Sequence, residues 1–223
     1  MSMLDHPVWH SLRSGWSALA KGNARALRID ARYGTFGAAA GQDAVSLAAL
    51  SALIPQGDEL WIVGRDAVVP PDTTLVRTAM LAQMVAPAIA PATNPAPRWE
   101  VLTESDGEDI CALALMTRPG PFRPLTHRLG RFIGIRREGR LVAMAGERMR
   151  LPGYTEVSGV CTHPDHRGRG YAGALMRIVA QAMLDRGDVP FLHAYAAHTQ
   201  TIALYERLGF RVRTELPMLV VTR

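Results

Sequence analysis

The residues best suited to handle charge lie between Tyr154 and Gly173, in the run Tyr154-Thr-Glu-Val-Ser-Gly-Val-Cys-Thr-His-Pro-Asp-His-Arg-Gly-Arg-Gly-Tyr-Ala-Gly173. Gly168 and Gly170 open a segment in which Leu175, Ile178, Val179, Ala182 and Met183 repeat with helical spacing. Gly187 and Pro190 close that helix. The first amides of a helix have no intrahelical partner and carry the positive end of its dipole. Glycines let such amides approach a phosphate without a Cβ in the way, and Arg167 and Arg169 add two full charges. The chemistry this spacing permits is the grip of a diphosphate at the mouth of a strand–turn–helix unit. Just upstream, the β-branched, apolar run 154–162 reads as a strand and contains a single acid, Glu156.

At these residues the sequence resembles a known family. Arg167-Gly-Arg-Gly-Tyr-Ala172 fits the Arg/Gln-x-x-Gly-x-Gly/Ala signature of the GNAT superfamily, the acyl-CoA-dependent N-acyltransferases. His198-Thr-Gln-Thr-Ile-Ala-Leu-Tyr-Glu-Arg-Leu-Gly-Phe210 is similar to that family's Asn-x-x-Ala-Ile-x-Leu-Tyr-x-x-Leu-Gly-Phe segment. The resemblance spans residues 99–223 and is closest to the FR47-like branch, which includes glycine N-acyltransferase-type enzymes. It implies an α+β fold, a mixed and mostly antiparallel twisted sheet flanked by helices. It also implies acetyl transfer from acetyl-CoA to a primary amine of a small molecule or peptide, by direct attack in a ternary complex.

Site residues follow from the same resemblance. Arg167, Gly168, Arg169, Gly170, Tyr171 and Ala172 would hold the coenzyme A pyrophosphate. Backbone groups of Val160, Cys161 and Thr162 would line a gap where their strand splays from strand 191–196. The Val160 N–H would face the thioester oxygen, with Gly159 marking the bulge that opens the gap. Tyr205 would stand near the sulfur as a proton donor; the alternative is a ring packed in the core beside Ile202 and Leu208. His198 occupies the place of the family's Asn, so one ring nitrogen would replace an amide bond with a different reach. That departure, with a first half free of motifs, leaves open a catalytically inactive coenzyme-A-binding regulatory or interaction module.

Amide formation requires a neutral amine, a polarised carbonyl and a proton for the leaving thiolate. Glu156 is the candidate base, since its apolar flank should raise its pKa towards neutrality. The alternatives are a solvent-facing acid or one paired with an Arg. Cys161, in apolar surroundings, reads as a buried thiol rather than a nucleophile. Gly168-Arg-Gly-Tyr-Ala-Gly173 also satisfies the dinucleotide pattern Gly-x-Gly-x-x-Gly, but five residues separate it from its strand and no acid closes the next one. His163-Pro-Asp-His166 lacks a partner cluster and reads as a surface loop, so no metal is expected. Arg118, Arg123 and Arg128 are candidates to hold an acceptor carboxylate.

Composition agrees with a globular chain of 223 residues, 48% hydrophobic, with net charge +5 and Lys21 as its only lysine. The basic balance suits a polyanionic small molecule; no Arg cluster with interleaved aromatics and no helix-turn-helix or zinc-finger spacing supports nucleic acid. Two unpaired cysteines, the lack of a signal-peptide pattern and the lack of a run of ~20 apolar residues point to a cytoplasmic protein with no membrane segment. Residues 1–90 read as helix 6–20, strand 24–33, helix 44–54, strand 59–64 and an ambiguous 74–85. They are expected to form a smaller α/β subdomain, either a degenerate half-copy of the fold or an accessory unit that caps the acceptor side or makes a homodimer contact. Pro91, Pro95 and Pro97 mark residues 91–98 as a linker, and residues 99–223 as the acyltransferase domain.

Overall fold

The computed structural model describes residues 2–92 and 95–223; Thr93 and Asn94, inside the expected linker, lie outside the described residues. Helix α1 (Pro7–Leu12) begins with a proline, which costs nothing where the amide has no helical partner. The helix expected over 6–20 stops there. Gly15 instead donates its N–H to Arg150 O at 3.2 Å, and a Cβ at Gly15 would lie 2.6 Å from that of Arg150. Strands β1 (Ala20–Gly22), β2 (Ala26–Ile29) and β3 (Gly37–Ala39) form a small antiparallel sheet. Asp30 ends β2 by accepting the Arg32 N–H at 3.0 Å. Helix α2 (Ala44–Ala52) is capped by Asp43, which accepts the Ser46 N–H at 3.0 Å.

The remaining elements are β4 (Glu59–Val63), β5 (Thr74–Val85), β6 (Glu100–Leu102), α3 (Gly107–Thr117), β7 (Phe132–Arg137), β8 (Arg140–Leu151), β9 (Tyr154–Thr162), α4 (Tyr171–Asp185), β10 (Val189–Tyr195), α5 (Thr199–Arg207) and β11 (Arg211–Thr222). Eight strands form one sheet in the order β4-β11-β5-β10-β9-β8-β7-β6. Its one parallel pair is β9 with β10; the other pairs are antiparallel. The mixed, mostly antiparallel sheet flanked by helices is therefore present. Strands β4 and β5, from the first 90 residues, lie inside it, with β5 between β10 and β11. One continuous sheet thus stands on both sides of the boundary expected at 91–98.

Strand β11 runs through Leu216-Pro217 without a break. The Pro217 carbonyl points to the β4 side, where it accepts the Gly64 N–H at 3.4 Å. The proline nitrogen points the same way, just past Met218↔Val63, the last β4 pair. The ladder with β5 therefore loses no bond.

Helix α4 is held by Leu175, Met176, Val179, Ala180 and Met183, buried against Ile133, Ile135, Ala145 and Val157 on one sheet face. Each of the larger side chains contributes roughly 1.5–3 kcal/mol by leaving water, which fixes the helix and hence its N-terminus. Helix α3 covers the other face, with Ile110 and Leu113 packed on Phe132, Met144 and Cys161.

The feature that positions the site is a fork. Strands β9 and β10 pair only over Tyr154↔Val189, Thr155↔Pro190 and Glu156↔Phe191, while β10 goes on pairing with β5 to Tyr195↔Leu81. On its other side β9 shifts register against β8 between Ser158↔Gly146 and Cys161↔Met144. Gly159 sits in that bulge with φ +62°, and a Cβ there would lie 2.7 Å from Phe132 Cε1. Substituting Gly159→Ala combines left-handed strain with overpacking, and should destabilise the fold by roughly 2–4 kcal/mol. Urea denaturation reads this directly; an unchanged midpoint would contradict it.

Candidate active site

A cleft of ≈ 510 Å³ opens on the α4 N-terminus and is lined by Thr117, Pro119, Val160–Thr162, His166–Gly173, Thr201, Leu204 and Tyr205. It brings together Val160, Cys161, Thr162, Arg167, Gly168, Arg169, Gly170, Tyr171, Ala172 and Tyr205. Gly168 and Gly170 adopt φ +75° and +74°, and nothing lies within 4 Å of where their Cβ atoms would stand. The bend is therefore open rather than sealed by side chains. Among the described residues no backbone carbonyl accepts from the amides of 168–173; the first helical bond runs from Ala174 N–H to Gly170 O at 3.1 Å. Two buried side-chain atoms facing this region, Thr162 Oγ1 and His166 Nδ1, also lack a partner. Tyr171 is fixed by Arg137, whose Nε donates to its hydroxyl at 3.2 Å. This set of unused donors, with Arg167 and Arg169 exposed beside it, fits a diphosphate. Burial raises the Cys161 thiol to about 11, so it stays protonated at neutral pH.

A second cavity of ≈ 240 Å³ lies on the other side of the fork. The two share Pro119, Val160, Thr201 and Tyr205. Its walls include Phe36, Trp61, Val63 and Leu81 from the first 90 residues, and Arg118, Arg148, His193, Tyr195, His198 and Met218. His198 thus lines this cavity rather than the first cleft. It stands at the N-cap of α5 without a side-chain capping bond, its ring 5.2 Å from that of Tyr195. Burial raises the Tyr205 phenol above its ordinary value, which keeps it a proton donor at neutral pH.

Glu156 is in this region, but not in the apolar flank expected from its neighbours in sequence. It is fully buried. Arg148 clamps it, Nε to Oε2 and Nη2 to Oε1 both at 2.8 Å, and His193 Nδ1 lies 2.8 Å from Oε1. Burial alone would raise the carboxyl; the charge and hydrogen bonds of Arg148, with the bond from His193, outweigh it and lower the pKa to about 2. The expected rise towards neutrality is corrected, because the deciding charges sit on β8 and β10, out of sight in the local sequence.

His193 is a component that the sequence reading missed. Gln83, on β5, fixes its tautomer. Gln83 Oε1 accepts from Arg213 Nε at 2.7 Å, so its amide nitrogen donates to Leu4 O at 2.8 Å and faces His193 Nε2 at 3.1 Å. Nε2 must accept, so the ring proton is on Nδ1 and is donated to Glu156. A polar residue interrupting a buried strand, as Glu156 does in β9, was the available signal. Of the three arginines considered for an acceptor, Arg123 is paired with Asp58 and Arg128 with Glu104. Arg118 alone reaches the cavity. No group of three or more His, Cys, Asp or Glu able to hold a metal occurs among the described residues, and no helix there is long and apolar enough to cross a membrane.

The FR47-like protein family matches residues 132–217. A GNAT-family protein of Novosphingobium aromaticivorans DSM 12444 is 43% identical, with a TM-score of 0.93 over 100% of this chain and 99% of its own. Two further structures share the fold: a GCN5-related N-acetyltransferase from Kribbella flavida (19% identity, TM-score 0.66, 99% and 95% covered) and a GCN5-related N-acetyltransferase-like protein from Streptococcus suis (18%, 0.63, 96% and 92%). No curated protein matches the chain. The fold and the full-length likeness place it plainly: the chain belongs to the GNAT family of acetyltransferases.

The lowered pKa of Glu156 has a sign that can be tested. An unfolded carboxyl takes its proton near 4.5 and the folded one near 2, so the stability it contributes is complete above about pH 5 and is lost as pH falls towards 2. The denaturation midpoint of the native chain should drop across that window more steeply than that of Glu156→Gln. Parallel curves would contradict the ion-paired carboxylate.

Proposed function

We propose that the protein is an N-acetyltransferase that moves the acetyl group of acetyl-CoA onto a primary amine of a small molecule or peptide, by direct attack in a ternary complex. The observation that carries this reading is the fork. It leads from an open cradle of unpaired amides, past the Val160 backbone, to a junction with a second cavity at Thr201 and Tyr205. Acetyl-CoA would supply the acyl group already activated as a thioester.

The chain's own residues then have separable tasks. Amides of Gly168–Ala172, with Arg167 and Arg169, bind the pyrophosphate. Backbone groups of Val160, Cys161 and Thr162 hold the pantetheine arm, and the Val160 N–H polarises the carbonyl. The acceptor nitrogen forms its bond to the carbonyl carbon as the C–S bond breaks. Tyr205 gives a proton to the sulfur. The amine's proton leaves through water in the second cavity. Both ring nitrogens of His193 are engaged, by Gln83 and Glu156, so His193 and Glu156 position the cavity wall rather than take the proton. His198 faces the acceptor. Two free cysteines support a reducing, cytoplasmic setting.

Titration calorimetry with acetyl-CoA, followed by a thiol-release assay on an amine panel, tests the reading. Binding together with turnover is expected; binding without turnover on any amine would leave only a coenzyme-binding module, and no binding would remove both. Tyr205→Phe should lower kcat by about 10²-fold with the acetyl-CoA Kd unchanged. An unaltered kcat would take Tyr205 out of the mechanism.

A further inference from the structure

The charges around the second cavity constrain what can enter it. Its lining contains no Asp or Glu. Glu156, bonded to the lining residues Arg148 and His193, lies behind Arg148 and is neutralised by it. Arg148 is in turn seated over the Phe36 ring at 4.8 Å. That leaves Arg118, an exposed residue of the lining whose guanidinium forms no ion pair and no hydrogen bond among the described residues, as the charge without a partner at this cavity. Arg118 is also held in the left-handed region, φ 50°, at the C-cap of α3. A non-glycine residue there carries strain that the surrounding structure must sustain, a condition common at ligand-binding positions. Its neighbour Pro119 lines both cavities, so Arg118 stands next to the junction.

The far wall is of the opposite character. Phe36, Trp61, Leu81 and Met218 present apolar surface. The polar tip of Trp61 is used up, since Nε1 donates to Glu59 Oε1 at 2.8 Å. A volume of ≈ 240 Å³ falls below the roughly 300–1,000 Å³ of pockets for drug-sized ligands. An acceptor whose only charge is its ammonium would meet Arg118 with no counter-ion. One that brings its own anion would be held by a planar fork suited to a carboxylate.

We infer, on the basis of the acetyltransfer reading above, that the acceptor is a small primary amine carrying a carboxylate on a compact apolar body, the chemistry of an apolar amino acid. Arg118 binds the carboxylate, the Phe36–Trp61–Leu81–Met218 wall takes the side chain, and the amine is left at the junction. The bond made and the bond broken are those of the transfer already described.

The test compares leucine, leucinamide, 3-methylbutylamine and spermidine on the full chain at saturating acetyl-CoA, with thiol release as the readout. Leucine should exceed leucinamide and 3-methylbutylamine in kcat/KM by about tenfold or more, as a charged hydrogen-bonded pair warrants, with spermidine poorest. Arg118→Ala should raise the leucine KM about tenfold with little change in kcat, leave the leucinamide KM alone, and be partly rescued by Arg118→Lys. Leucinamide or spermidine performing as well as leucine would overturn the inference, as would an Arg118→Ala effect equal on leucine and leucinamide. Calorimetry separates the two levels. Acetyl-CoA binding with the wrong acceptor preference, or with no turnover, removes this acceptor class and leaves coenzyme binding intact. Absence of binding removes the acetyltransfer reading with it.

Discussion

Glu156 is the last residue of β9 that pairs with β10, and its carboxylate ties three strands together at the point where two of them part. Arg148 reaches it from β8 and His193 from β10, each at 2.8 Å. Burying a carboxylate is costly, and removing one partner of such a pair typically costs roughly 3–5 kcal/mol because the other charge is left bare. The knot therefore resists further opening of the fork. Beyond it, the bulge at Gly159 turns β9 away from β10, and the backbone of Val160–Thr162 is left without a strand on that side.

From this fork two environments diverge. One end offers unused amides at the start of α4, a field suited to phosphates. The other is largely apolar with one unbalanced guanidinium. They meet at Val160, Thr201 and Tyr205. The first 90 residues are built into this arrangement. Strand β5 lies against β10 and supplies Gln83, which sets the His193 tautomer, while Phe36 and Trp61 furnish the apolar wall. Trp16 adds a tie by donating Nε1–H to Arg148 O at 2.9 Å. A truncated chain starting near residue 99 would leave one side of β10 unpaired and the second cavity open.

Much of this was legible in the sequence where the signal is local. The glycine bend and the helix that follows it depend on nearest neighbours, and the structure has them at the expected places. The splay of β9 from β10 and the bulge at Gly159 were likewise accessible, through the resemblance. What failed was anything decided across strands. The apolar neighbours of Glu156 in sequence say nothing of Arg148, eight residues away but on the adjacent strand. Residues 74–85 have no clean period because one half of β5 is buried and the other exposed. Pro217 looks like a breaker until one knows which side of β11 has run out of partner. The helix expected over 6–20 lost its second half to contacts with Arg150.

In the proposed transfer the fork is the channel for the acyl donor. Crystallising the protein with a non-transferable thioether analogue of acetyl-CoA measures that most directly. The pantetheine chain should lie between β9 and β10 along Val160–Thr162, its diphosphate on the 168–172 amides and its acyl end beside Tyr205. An analogue bound elsewhere, or β9 and β10 drawn together over their whole length in its presence, would contradict it.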